Sequence, residues 1–381
     1  MNRIKQAAFA AAATLIAGPA LAQGKLPAAV AWTAYDVGSA GYNQAVAIGG
    51  VLKNELGINL RVLPGKNDVS RQIPLREGKV HFSATGLGAS FFAQEGMFEF
   101  GEKAWGPQAV RLLLAANADS NLTIGAANDV GIKTIADLKG KRVAWVVGAP
   151  SLNQNIAAIL RFANLTWDDV KKVEFPGFGA AWDGIVNNQV DAAFATTTSG
   201  QAYRLEASPR GLIWPPLPFN DKEGWARLNE AAPFFIQNLA TEGAGLSATK
   251  THEGPSYPYP ILLAYETQDK ALVHAMTKAM VELFPKYKDS APGINGWALD
   301  RQKFDWVVPY HDGAVEYLKQ AGVWKPEHDA HNAKLVERQK VLKAAWDKVV
   351  GEKLDDAAFE QAWQKARREA LEKAGFNPIW R

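Results

Sequence analysis

Small hydrogen-bonding side chains recur in this sequence wherever an apolar run gives way to a helical pattern. Ser39, Asn67, Ser70, Thr85, Ser151, Asn153, Thr197 and Thr198 all stand at such junctions. Hydroxyls and amides hold a small polar molecule by hydrogen bonds and do no covalent work on their own. Tyr42, Phe178 and Trp182 stand in the same loops and can wall off an apolar part. Arg71 can grip a carboxylate through two parallel N–H groups. Gly38-Ser39-Ala40-Gly41, Ser151 and Gly179-Ala180 each precede a helical pattern. A helix N-terminus offers unpaired N–H groups and a positive dipole end, so a carboxylate fits there without a side-chain cation.

The chemistry these residues suggest is binding, not turnover. The sequence has no G-x-S-x-G elbow, no Walker A loop and no G-x-G-x-x-G; Gly177-Phe178-Gly179 lacks the third glycine. Cysteine is absent, which excludes disulfides, thiolate metal ligands and thiol catalysis. His328-x-x-His331 beside Glu327 has metal-ligand spacing, but it sits in a charged tail with no third ligand suggested nearby. The expectation is a protein that is not an enzyme and carries no metal or cofactor. An exported α/β hydrolase or transferase is the alternative from another class, and a ligand-sensing partner of a sensor kinase is a further one.

The elements that position these residues follow one plan twice. In the second copy, Arg142–Val147, Lys172–Phe175 and Ala192–Ala195 are short apolar runs separated by helical patterns. Residues 152–163 place Leu152, Ile156, Ile159, Leu160 and Ala163 on one face. In the first, Ala28–Thr33, Ile58–Leu63 and Val80–Ala84 alternate with a helix over 43–56 and a short one ending at Arg76, which Asp68 can cap. Parallel strands joined by helices need right-handed crossovers and bind ligands beyond their carboxyl ends. The segment Arg111–Ala126 reads as a crossing strand at a hinge, and Tyr259–Tyr265 as the return. Asp269–Leu283 reads as an amphipathic helix packing back on the first half. Residues 312–377 are mostly helical and charged, with Leu335, Val336, Val341, Leu342, Ala345 and Trp346 at helical spacing, and are expected to brace that half.

The expected fold class is therefore α/β: a two-lobed clamp, each lobe a parallel-rich sheet flanked by helices, with a helical C-terminal extension. The expected boundaries are a signal peptide at 1–22, lobe 1 at 23–122 and again at 260–311, lobe 2 at 123–259, and the extension at 312–381. Arg3 and Lys5, the apolar run Ala7–Ala17 and Ala20-Leu21-Ala22 form a cleavable export signal. That run is too short to span a bilayer, which needs about 20 apolar residues. Loss of the two basic residues in that leader lowers the formal charge of +3 to about +1, so neither nucleic acid nor an anionic membrane is an expected partner. A chain of 381 residues is more than one core usually serves.

The residues also carry a resemblance. The export signal, DLKGKRVAWVVGAP at 137–150, FGAAWDGIVNNQVDAAFA at 178–195 and HDGAVEYLKQAGVW at 311–324 are similar to the TAXI family of extracytoplasmic solute receptors, which serve TRAP transporters. The DLKGKRV phrase alone is shared by many type II periplasmic binding proteins; the resemblance spans roughly residues 25–320. It implies a clamp that delivers a small carboxylate, such as glutamate or 2-oxoglutarate, to TRAP membrane permease subunits from the periplasm, acting as a monomer. It also implies contacts from the loops at 38–42, 66–71, 85–88, 149–154, 178–182 and 196–199, adding Gln154 to the candidates. The chain departs from the family where Gly-Ser-Gly-Thr is usual and Ser151-Leu152-Asn153-Gln154 stands, and at Asp36-Val37 before Gly38. Both departures lie at the cleft, so the family's ligand does not carry over. The alternative within the same fold is a receptor for an ABC importer of sulfonate, nitrate or a thiamine precursor.

Overall fold

The computed structural model describes residues 25–379. The expected signal peptide at 1–22 lies outside the described residues.

The first strands and helices alternate as the sequence requires: β1 (Ala29–Ala34), α1 (Ala40–Leu56), β2 (Asn59–Pro64), α2 (Asp68–Arg76), β3 (Phe82–Thr85), α3 (Leu87–Glu95) and β4 (Val110–Ala115). The chain then forms β5 (Leu122–Ala127), β6 (Arg142–Val146), α4 (Pro150–Phe162), β7 (Lys171–Phe175), α5 (Phe178–Val186), β8 (Ala192–Thr196), α6 (Gly200–Glu206) and β9 (Leu212–Ile213). After α7 (Lys222–Ala231) and the hairpin of β10 (Ile236–Ala240) and β11 (His252–Ser256) come β12 (Ile261–Tyr265), α8 (Lys270–Glu282), α9 (Phe284–Tyr287) and α10 (Asp312–Gln320). Two long helices, α11 (Pro326–Gly351) and α12 (Asp356–Lys373), end the fold.

The strands make two five-stranded sheets, ordered β2-β1-β3-β12-β4 and β7-β6-β8-β5-β9. The two orders are equivalent. In each, three parallel strands are followed by one antiparallel strand, β12 in the first sheet and β5 in the second. Every residue of β3, β4, β5 and β8 is buried, which is why these strands read as mostly apolar runs without polar alternation. The edge strand β7 exposes Lys171, Lys172 and Glu174, charges that discourage pairing with another sheet.

Local signals set the helix ends. Ser39 caps α1 by accepting a hydrogen bond from Tyr42 N, so the helix opens three residues before the expected 43, and Gly57 ends it in the left-handed region. Two expectations are corrected. Asn67, not Asp68, caps α2: Asn67 and Ser70 form a reciprocal capping box, and the Asp68 carboxylate is buried and committed elsewhere. The crossing at 111–126 is not one strand. β4 stays in the first sheet and β5 in the second, with Asn117–Ser120 carrying the chain between them.

The tail forms a helical pair with its own small core, in which Trp346 meets Trp363 at 4.9 Å and Phe359 at 5.0 Å between ring centroids. A buried charge cluster ties it to α3: Glu95 pairs with Arg338 at 2.6 Å and with Arg367. Trp363 Nε1 adds a hydrogen bond of 2.6 Å to Gly96 O.

Candidate functional site

The loops after β1 and β2 meet those after β6, β7 and β8, so the carboxyl ends of the two parallel triads face each other. Backbone bonds stitch this face: Phe178 N to Lys66 O at 3.0 Å, Val69 N to Gly148 O at 3.2 Å and Gly200 N to Gly38 O at 3.0 Å. Gly200 has to be glycine here, because a Cβ would stand 2.7 Å from Gly38 O. Side chains add to the seam, Asn67 Nδ2 donating to Val147 O at 3.0 Å and Gln201 Nε2 to Val37 O at 2.8 Å.

Two carboxylates from the first half reach across it. Asp68 Oδ2 accepts from Ser151 N at 2.7 Å, and Asp36 Oδ2 accepts from Gly179 N at 3.0 Å. The N-termini of α4 and α5, which the sequence leaves open for a ligand carboxylate, are thus capped by the protein's own. The reason is physical: unpaired N–H groups at a buried helix end need partners, and an acid in the facing loop supplies one. The other oxygen of Asp68 pairs with Arg71 Nη2 at 2.8 Å, both side chains being almost fully buried. Burial pushes the Asp68 carboxyl above its ordinary value, against the pull of Arg71 and the hydrogen bonds from Ser151.

Beneath this seam lies a small cavity of about 30 Å³. Arg71 enters from α2 with its guanidinium 4.5 Å from the centroid of the Tyr35 ring. Tyr35, Tyr257 and Tyr259 line it, and burial raises the pKa of all three, so they stand there as neutral phenols. Tyr257 Oη receives a hydrogen bond from Asn155 Nδ2 at 2.8 Å, while Tyr259 meets Ser39 and the Gly41 backbone. Tyr35 Oη is buried without a partner. Leu122, Leu152, Phe178 and Phe194 form the apolar wall, and Thr196 and Ser199 add hydroxyls from the end of β8.

Of the residues singled out by sequence, Ser39, Arg71, Ser151 and Phe178 line this cavity. The others do not. Tyr42 is half-buried and packs on the main core. Asn67 and Ser70 cap α2, Ser70 on the exposed side. Thr85 is buried at the end of β3, where it pairs in register with Ile261. Asn153 folds back from α4 on the preceding strand β6, its Oδ1 accepting from Val146 N at 3.0 Å and its Nδ2 donating to Val146 O at 2.9 Å. Asn153 and Gln154 border a wider outer cleft of about 730 Å³, whose far side is Asp356, Phe359 and Glu360 of α12. Trp182 is fully buried and donates to Phe194 O at 3.2 Å. Thr197 donates to Glu242 O at 2.8 Å, and Thr198 stands behind the cavity lining with its hydroxyl 3.1 Å from that of Thr196. His328 and His331 are occupied by the chain itself: His328 Nδ1 accepts from Lys325 N at 2.9 Å, and His331 Nε2 lies 2.7 Å from Trp306 O.

Sequence reasoning missed Tyr35, Asp36 and the ionic role of Asp68, and also Tyr257 and Tyr259. The available signal for the last two was the segment Ser256-Tyr257-Pro258-Tyr259-Pro260, two aromatics set between prolines where the chain returns to the first sheet.

Two equivalent sheets with a cavity between the carboxyl ends of their strands define the two-lobed fold of periplasmic solute-binding proteins. The chain belongs to the NMT1-like family, whose model matches residues 37–322. Among solved structures, the alkanesulfonate-binding protein SsuA from Xanthomonas axonopodis pv. citri bound to MOPS is similar at 15% identity, with 87% of this chain and 95% of that one covered and a TM-score of 0.42. An ancestral arginine-binding protein bound to arginine is similar at 14% identity over 70% and 96%, with a TM-score of 0.43. The periplasmic aliphatic sulphonate binding protein SsuA from Escherichia coli is 17% identical over 92% and 89%, with a TM-score of 0.38. These likenesses are distant, and the fold assignment stands on strand order and family membership.

Proposed function

We propose that this protein is an extracytoplasmic receptor that binds a small organic anion between its two lobes and passes it, without covalent chemistry, to a membrane importer. The observation that carries this reading is Arg71: a buried guanidinium lining an interlobe cavity among neutral phenols at the carboxyl ends of parallel strands. Ser39, Ser151 and Ser199 also line it, but no histidine does, so a hydroxyl there has no imidazole to activate it. Closure of the lobes about the crossings at 116–121 and 257–260 would present the loaded form to the importer. Lobe boundaries at 122 and 259, export through a cleaved signal, a monomeric state and the absence of a nucleic-acid partner belong to the same proposal. No helix among the described residues is long and apolar enough to cross a membrane.

The sequence resemblance to the TAXI family supports a TRAP permease as the importer. The departure at Ser151–Gln154 and membership of the NMT1-like family favour an ABC importer at least as well. Isothermal titration with keto acids, dicarboxylates, amino acids and sulfonates tests the binding claim. Silence toward every organic acid, with clear binding of a metal or a neutral sugar, would overturn it. Uptake into vesicles bearing the importer decides the second point, since an ABC partner requires ATP and a TRAP partner an ion gradient.

A further inference from the structure

We infer that the ligand is a monoanion with an apolar body, one oxygen on Arg71 and another on the Tyr35 hydroxyl, and that this cleft discriminates against dicarboxylates. The inference rests on the receptor reading and narrows its ligand class.

Three independent features of the cavity converge on it. The first is Tyr35. It is the single cavity-lining side chain whose polar atom is buried without a hydrogen-bond partner. A buried hydroxyl of this kind is costly to leave unmade. Its ring centroid lies 4.5 Å from the Arg71 guanidinium, so the two groups line the space side by side. Burial keeps the phenol protonated, which makes it a donor, and an oxyanion is the acceptor that completes both groups.

The second feature is the charge balance. Arg71 is the only ionic side chain lining the cavity, and Asp68 already pairs with it at 2.8 Å. One further negative charge can lean on Arg71 and on the start of α3, where Gly86 lines the cavity and no side chain caps the helix. A second meets no further cation among the described residues that line the cavity. The helix ends that would take it, at α4 and α5, are held by Asp68 and Asp36. A dianion would therefore enter a low-dielectric space with one charge uncompensated.

The third feature is the apolar lining. Leu122, Leu152, Phe178 and Phe194 offer no hydrogen bonds to a second polar end; the space of about 30 Å³ takes an alkyl or aryl body against them only once the lobes part.

The test uses matched pairs: pentanoate and pentanesulfonate against glutarate, and benzoate against phthalate, titrated calorimetrically into the full chain. The expected result is binding of at least one monoanion of each pair and at least about tenfold weaker binding of its dianionic partner. Tyr35→Phe should weaken the best monoanion by about tenfold or more, the scale of one hydrogen bond to a charged group, while circular dichroism and the unliganded melting temperature stay at wild-type values or rise. Dicarboxylates binding as tightly as monoanions, or an unchanged Kd in Tyr35→Phe, would overturn the inference and leave the receptor reading standing. Silence of the wild type toward both classes would overturn the inference, while the receptor reading falls only with silence toward the whole panel of organic acids.

Discussion

The Asp68–Arg71 pair permits a quantitative test of how the cleft is held together. Both side chains are almost fully buried, at 1% and 3% exposure, so solvent screens the pair very little. Yet burial still leaves the Asp68 carboxyl above its ordinary value, which means the attraction of Arg71 does not repay the loss of hydration. A pair in that state is worth little as a pair but is expensive to break. Asp68→Asn keeps an oxygen for Ser151 N and removes a charge that the fold holds poorly, so it should cost under about 1 kcal/mol; Arg71→Met strands the carboxylate. The Arg71 change should cost about 3–5 kcal/mol, a melting-temperature drop of roughly 6–20 °C at ~2–4 °C per kcal/mol. The double variant strands neither group and should lie within about 1 kcal/mol of wild type, giving a coupling energy of several kcal/mol in a double-mutant cycle. Scanning calorimetry without ligand reads the effect. An Arg71→Met variant costing under about 1 kcal/mol, or a double variant as unstable as the two singles added, would refute the account of the pair.

Three further outcomes follow from the same geometry. Because burial raises the folded-state pKa of Asp68 above the ordinary 3.8, the folded protein binds that proton more tightly than the unfolded chain. Wild type should therefore gain stability relative to Asp68→Asn as pH falls through the Asp68 pKa toward 3.8, with the gain complete below it, as read from paired urea titrations. Asn153→Ala removes both partners of the Val146 peptide and should lower stability by about 1–3 kcal/mol with ligand affinity unchanged; a large loss of affinity in a normally stable variant would put Asn153 back in the binding site. Glu95→Gln leaves Arg338 and Arg367 buried without their shared counter-charge and should cost about 3–5 kcal/mol, detected as faster proteolysis of the helical pair α11–α12 while the two sheets stay protected.

The repeated strand–helix plan was legible because it is local. Short runs of four to six residues separated by helical patterns mark β1 to β3 and β6 to β8, and the loops after β1, β2, β6, β7 and β8 meet at the seam. What stayed hidden depends on partners far apart in the chain. Asp68 looks like a helix cap from its neighbours alone; its second role needs Ser151, 83 residues later. Thr197 and Thr198 look like ligand contacts from their place after β8, yet in the turn that follows the strand it is Thr196 and Ser199 that line the cavity, and Thr197 is given to Glu242 O. Asn153 has the composition of a binding residue and the geometry of a strand-end clip. A polar residue in a loop says that a hydrogen bond is made, and only the fold says with what.

The carboxylates of Asp36 and Asp68 also bear on how closure is driven. A ligand shifts an equilibrium between open and closed forms only by what it adds to one over the other. In this protein the closed seam already contains bonds that span the lobes: two carboxylates on helix ends, backbone pairs at Val69, Phe178 and Gly200, and the side chains of Asn67 and Gln201. None of these needs a ligand. What the cavity leaves for a ligand to complete is the Tyr35 hydroxyl, the Arg71 guanidinium and the uncapped start of α3. On the proposed reading, the ligand's differential contribution is confined to a few donors, while the seam supplies the rest. A change at Tyr35 should then alter which molecule is held and a change at Asp36 how firmly the lobes meet, while Asp68, which holds both Arg71 and Ser151 N, should alter both.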